Sequence, residues 1–363
     1  MAHAPHPLAT LEQIASTPSY NDEIPSEVEA DLRVAGCMLI QEAGIMLDLP
    51  QSTMATAQVI FHRFYYVSSM YSFGVNDISI SALFLSTKLC ETPVRLRDLI
   101  NTYLFLLARI EHLLNLPSDR PFNVSPPGLG VGSTSASLSS DRGWQLGDVQ
   151  RIQAQLQAEH NGNGSAIGKV QEREDPVWDG FEFQVPGFHD EVFWEWKDVI
   201  TASEMQILKR LGFNMQVDLP YSHMINYLKI LDLVFEDDVA QMCWSILNDL
   251  LLTPMYAIHP PHTLACVSIL LATRLKRIPL PEGWYILFDA EWNDIWSCCG
   301  HVMNLWNDWT VTEPSQRSPA VESGPDEDSV GRENRWRRAW VLAQSRKAVR
   351  RWLDERDERK APV

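Results

Sequence analysis

Four stretches in the first third of the chain repeat apolar residues every three or four positions, and that period commits them to helices packed on one another. From Ser26 to Pro50 the repeat is Val28, Leu32, Ala35, Leu39, Ala43 and Met46. The Ser26-x-x-Glu29 spacing is that of a capping box, so the first helix is expected to start there. A second stretch, Ser52–Tyr71, turns Ala57, Ile60, Phe61, Phe64 and Val67 inward. The third starts near Asp77 and is apolar almost all round through Ile80, Leu83, Phe84 and Leu85 until Pro93 ends it, the pattern of a central helix. The fourth runs from Arg95 to about Asn115 with Leu96, Leu99, Ile100, Tyr103, Leu106, Ile110 and Leu113 inward. Long helices joined by short connections make a bundle, not a sheet.

The period then collapses. Residues 116–188 contain Ser-Pro-Pro-Gly, Gly-Leu-Gly-Val-Gly-Ser and Asn-Gly-Asn-Gly, too little apolar surface to offset chain entropy. The segment reads as a disordered insert, with a short helix at Asp148–Ala158 as its one candidate element. Helical spacing resumes at Glu191 with Val192, Trp196, Val199, Ile200, Met205 and Leu208 inward, and ends at Gly212, a left-handed cap. From Leu219 a second array follows: Tyr221–Leu231, Asp237–Leu252, Pro261–Leu275, Trp284–Phe288 and Asp289–Trp306. The expected architecture is all-α: two tandem five-helix units, residues 26–115 with 189–218 and residues 219–310. Residues 311–363 complete it as a linker and basic tail, with Arg335–Arg359 expected to form a solvent-exposed basic helix.

Charge narrows the function classes. The chain carries a formal −17 at pH 7. From Gly331 to Val363 eleven Arg or Lys face five Asp or Glu, a net of +6, so the remainder carries −23. An acidic body is a poor nucleic-acid surface. A basic tail on it implies either a second electrostatic partner or a tail that folds back. The six cysteines form no CxxC pair and sit mostly in apolar helical stretches, as reduced thiols of a cytosolic or nuclear protein do. No apolar run is long enough to cross a bilayer, and Met1–Pro25 carries no signal-peptide core.

Catalytic motifs fail on spacing. Gly164 to Val170 is one residue short of a phosphate loop and places Val170 where a hydroxyl should hold magnesium. Glu236-Asp237-Asp238 lacks a second acidic cluster and reads as a helix start. His259-Pro-Pro-His262 cannot adopt the helical geometry of paired metal ligands. No cofactor or metal site is expected.

The residues also carry a family resemblance. Leu85-Ser-Thr-Lys88-Leu-Cys-Glu91-Thr-Pro93 with Arg95-Leu-Arg-Asp-Leu-Ile100 resembles the third-to-fourth-helix segment of the cyclin box. Glu204-Met-Gln-Ile-Leu-Lys-Arg-Leu-Gly-Phe213 resembles its fifth helix and exit. Met54 to Tyr65 is similar to the L-type cyclins of the transcription and splicing branch. Thr263-Leu-Ala-Cys, Leu271-Ala-Thr-Arg and Ile278-Pro-Leu-Pro281 look like their second box. His62 stands where many cell-cycle cyclins have Asp and the transcriptional cyclins have His.

That resemblance implies a non-enzymatic nuclear subunit that activates a cyclin-dependent kinase acting in RNA polymerase II transcription and pre-mRNA processing. The partners it implies are the kinase catalytic subunit and, beyond it, the transcription or splicing machinery, with no membrane and no direct nucleic acid. Lys88 and Glu204 match the residues that bond the kinase backbone, Glu91 adds charge at that edge, and Arg33 with His62 would form a structural polar pair. Cys90 reduces the usual acidity beside the lysine, and the tail is Arg-rich with few serines. The competing reading is a DNA-binding general transcription factor of the same fold, similar to transcription factor IIB; an all-helical metal-dependent enzyme centred on Asp237 or His259 is the third.

Overall fold

The structure is a computed structural model that describes residues 8–115, 181–187, 189–309, 335 and 337–360. Helices are α1 Leu11–Ala15, α2 Pro18–Asn21, α3 Ser26–Met46, α4 Gln51–Val67, α5 Val75–Leu89, α6 Leu96–Leu114 and α7 Glu191–Arg210. They continue as α8 Tyr221–Ile230, α9 Val239–Leu250, α10 Met255–Ile258, α11 Pro261–Lys276 and α12 Trp292–Trp309, with a 3-10 turn at Trp284–Phe288. Residues 337–343 form α13, and Arg346–Lys360 form α14. No strand occurs among the described residues. The expected helix at Asp148–Ala158 and most of the insert and linker lie outside the described residues.

Two helices are sunk in apolar surroundings. Helix α5 packs on α3, α4 and α7 and buries Ile78, Ile80, Ala82, Leu83 and Leu85. Its buried hydroxyls return to carbonyls of the same helix: Ser79 to Asn76 O (2.9 Å), Ser81 to Asp77 O (2.7 Å) and Ser86 to Leu83 O (2.9 Å). The small polar residues are thereby satisfied, and neighbouring helices can approach closely without desolvation cost. Helix α11 is the corresponding element of the second array, packed by α8, α9 and α12. Its buried Ser268 and Thr273 bond their own helix in the same way. Where α3 crosses α4, Gly36 lets the Phe61 ring in, because a Cβ there would stand 2.2 Å from the ring.

Helix α4 belongs to both cores. Ala57, Ile60, Phe61 and Phe64 sit in the first apolar cluster, whereas Ala55 and Val59 sit in the second. Leu252 and Leu305 from the second array reach back into the first. Polar bonds stitch the same seam: Gln51 Nε2 donates to Asn248 Oδ1 (3.1 Å), which also accepts from Tyr221 OH (2.8 Å).

Three local expectations need correcting. Helix α3 starts at Ser26, but Pro25 is its N-cap and no side chain caps it. Glu29 is instead drawn to Arg33 and to the Thr17 hydroxyl (2.5 Å); a capping box forms earlier, between Thr10 and Gln13. On α7 the inward residues are Phe193, Ile200 and Ile207, while Val192, Val199 and Met205 are exposed. Residues 181–187, within the expected insert, lie along α6, with Phe181 and Phe183 edge-on to Phe105.

The basic tail is not a solvent-exposed helix. Trp340, Leu342, Ala343, Val349 and Leu353 are buried in the first cluster. The arginine count obscured an apolar stripe that docks α13 and α14. Arg335 holds both oxygens of buried Asp31 at 2.8 Å and Asp308 at 3.1 Å. Arg337 donates to Leu114 O (2.8 Å), Arg350 to Tyr71 O (3.0 Å) and Arg356 to Glu23 O (2.7 Å). Trp340→Ala is expected to cost about 3–5 kcal/mol in chemical denaturation, whereas Lys347→Ala, an exposed position on α14, changes stability by less than about 0.5 kcal/mol.

Candidate functional site

Lys88 lies in the last turn of α5, where the helix dipole favours a cation. Glu204 lies on α7, 116 residues away, and its Oε1 accepts from Lys88 Nζ at 2.6 Å. The pair forms because α5 and α7 pack side by side along the first core. Lys88 keeps 47% of its side chain exposed and Glu204 15%. Phe84, one turn before Lys88, supports the ammonium from below at 4.0 Å from its ring centroid. The i, i+4 spacing of Phe84 and Lys88 is legible in the sequence, where Phe84 reads as one more apolar residue of the central helix.

An exposed ion pair of this kind contributes about 0–1 kcal/mol. It therefore holds two side chains in register at small cost and opens readily to a competing ligand. A lysine offers three donors and a carboxylate only acceptors, so together they can hold carbonyls and N–H groups of one backbone segment. Apolar side chains remain exposed on the same two elements: Leu89 at the end of α5, and Val192, Trp194, Val199 and Met205 on α7. Glu91 follows in a left-handed backbone conformation, φ 55°. Its side chain is exposed, and no ion pair joins it to Lys88 or Glu204 among the described residues.

Arg33 and His62 are far from solvent. Arg33 makes two bonds to Glu29 Oε1 (3.0 and 2.7 Å) and one to His62 O (3.0 Å). His62 Nε2 lies 3.0 Å from Leu251 O of the second array and 3.1 Å from Cys37 Sγ. Burial, reinforced by Arg33, lowers the His62 pKa to about 3, so the ring is neutral. Burial raises the Cys37 thiol despite Arg33, which keeps it protonated. This is a packing device spanning the seam, with no open position for a substrate. A further buried pair, Arg109 with Glu42, was not anticipated from the sequence.

Other candidate chemistry disperses. Asp238 pairs with Lys276 at 3.4 Å at the start of α9, and His259 faces Asp294 at 4.0 Å. No group of three or more His, Cys, Asp or Glu able to hold a metal ion occurs among the described residues. None of their helices is long and apolar enough to cross a membrane.

Comparison with known proteins shows what the chain is similar to. Residues 7–109 match the cyclin N-terminal domain. The chain is 29% identical over 297 residues to Cyclin-L2 of Homo sapiens, covering 81% of the chain and 44% of that protein. It is 28% identical over 303 residues to Cyclin-L1 of Homo sapiens (83% and 44%), and 29% over 298 residues to Cyclin-L1 of Danio rerio (82% and 46%). The chain thus spans less than half the length of these curated relatives. A chain of the crystal structure of the yeast RNA Pol II CTD kinase CTDK-1 complex shares the fold. It does so at TM-score 0.55 and 14% identity, over 91% of this chain and 81% of that one.

The His62 environment has a measurable consequence. Its folded pKa lies below the ordinary 6.5, so the unfolded chain binds the proton more tightly. Stability from this group is complete above pH 6.5 and is lost as pH falls toward 3. Between pH 5.5 and 4, wild type is expected to lose about 1.3 kcal/mol per pH unit more than His62→Gln in parallel urea titrations.

Proposed function

We propose that this chain is a cyclin, a non-enzymatic regulatory subunit that binds and activates a cyclin-dependent serine/threonine kinase. The kinase would act in RNA polymerase II transcription and pre-mRNA processing, in the nucleus. The observation that carries the reading is the Lys88–Glu204 pair, half-open to solvent and set among exposed apolar side chains of α5 and α7. The likeness to Cyclin-L1 and Cyclin-L2 supports the transcription and splicing branch.

The mechanism is a population shift. A kinase helix laid on the apolar surface, with its flanking backbone held by Lys88 and Glu204, is bound better in its active arrangement than in the inactive one. The cyclin supplies differential binding, and all the chemistry belongs to the kinase. Glu91, exposed at the rim, adds acidic charge that steers encounter more than it adds affinity. The acidic body weighs against the DNA-binding reading.

Affinity purification of the tagged full chain with mass spectrometry is expected to recover one protein kinase catalytic subunit in stoichiometric amount. Lys88→Ala or Glu204→Ala should weaken that association by about 1 kcal/mol or more, roughly fivefold or greater in affinity. Because the pair contributes little to folding, both variants should remain folded. Undiminished kinase recovery with either would overturn the assignment.

A further inference from the structure

A separate groove lies in the second array, on elements that take no part in the Lys88–Glu204 face. It runs between the end of α11, residues 278–281, the 3-10 turn and the start of α12, and measures about 430 Å³. Trp284, Tyr285 and Trp292 line it, with Pro279 and Pro281 as stiff walls. The rings continue as a row from Trp284 through Tyr285 and Trp292 to Trp296, with successive centroids 6.3, 5.3 and 6.1 Å apart. Trp292 is 38% exposed and Trp296 65%, so half of this row faces water.

The polar groups of the groove are open. Among the described residues, no hydrogen bond or ion pair engages the side chains of Arg274, Glu282, Trp284, Tyr285 or Trp292. Trp284 is only 5% exposed, yet its unbonded indole N–H is not sealed from solvent. The Thr273 hydroxyl is already used, donating to Ile269 O at 2.7 Å. The groove therefore offers two indole N–H groups, a phenol and a guanidinium as donors, against a single carboxylate.

An ordinary peptide strand carries as many N–H groups as carbonyls and would leave N–H groups unpaired on such a surface. A proline-rich segment does not. Its carbonyls make no internal hydrogen bonds, its prolines have no N–H, and its pyrrolidine rings pack on aromatic side chains. The spacing of the ring row is close to two residues of a polyproline II helix, which rises about 3.1 Å per residue. Charge adds a further requirement. Glu282 is exposed at the groove, and the chain outside its tail carries −23, so a cationic residue beside the prolines is drawn in at short and long range. The same charge repels single-stranded nucleic acid, the other polymer that stacks on aromatic rows. We propose that this groove binds a proline-rich segment of a partner protein, held as a polyproline II helix with an arginine or lysine beside its prolines. The rings take the prolines, the indole N–H groups take backbone carbonyls, and Glu282 takes the flanking cation.

The test is fluorescence anisotropy on the full chain at 150 mM salt. The probe is a fluorescein-labelled peptide library with a Pro-x-x-Pro core, arginine on either side and all other positions degenerate. One control library replaces the prolines with alanine, and another replaces the arginines with glutamate. The probe is expected to bind at least tenfold tighter than either control. Trp292→Ala should reduce that binding at least tenfold while the far-UV circular dichroism stays that of the wild type. Glu282→Lys, at an exposed position, should weaken binding of the arginine library and strengthen binding of the glutamate library, a reversal that misfolding cannot produce. Equal binding of the proline and alanine libraries, or no effect of Trp292→Ala, overturns the site. A labelled uridine oligomer binding more tightly than the probe would overturn it in favour of nucleic acid. Self-association in sedimentation equilibrium that Trp292→Ala abolishes would overturn it in favour of a second copy of this chain.

Discussion

The burial of α5 is the constraint on which the candidate surface rests. A helix enclosed by α3, α4 and α7 has no freedom to rotate, so the position of its last turn is fixed by the core rather than by surface contacts. Lys88 emerges from that turn at the one end where α5 reaches solvent, and Phe84 beneath it limits where the ammonium can go. Glu204 is fixed from the other side, because Ile200 and Ile207 of α7 are buried against the same core. A weak exposed ion pair could not hold two segments 116 residues apart. Core packing does that, and the pair reports the result.

The same logic extends across the seam. Because α4 contributes to both apolar clusters, the two arrays share a wall instead of meeting at a wet interface. Neutral His62 is part of that wall: its ring bridges Leu251 of the second array to the Cys37 side of the first. Asp249, two residues before Leu251, has its pKa raised by burial to about 7 with Trp306 Nε1 as its hydrogen-bond donor at 2.9 Å. Its effect on stability has the opposite sign to that of His62, being complete below the ordinary value of 3.8 and lost as pH rises through about 7. Docked α13 and α14 close the first core from outside, so the basic tail is a structural component of the fold.

Much of this architecture is legible in the periodicity alone. The apolar repeats place α3 to α6 and the second array within a few residues, because those helices are long and each buries a wide face. Where burial is partial the pattern misleads. On α7 the period suggests Val192, Val199, Ile200 and Met205 as core; Ile200 is buried, together with Phe193 and Ile207, while Val192, Val199 and Met205 are exposed. Apolar residues occur on both faces of that helix, and period cannot say which face meets the core. In the tail, eleven basic residues dominated the reading while Trp340, Val349 and Leu353 carried the docking energy. The meeting of Lys88 with Glu204 has no local signal at all; only the family resemblance brought those two positions together before the coordinates did.

The central claim is that the ends of α5 and α7 form one contact face. Hydrogen–deuterium exchange of the full chain, alone and in complex with the kinase proposed to copurify with it, tests it most directly. The account predicts new protection in the backbone from Lys88 to Glu91 and along α7 around Glu204, with exchange at α9 and α11 unchanged. Protection confined to the second array, with α5 and α7 exchanging as in the free chain, would contradict it.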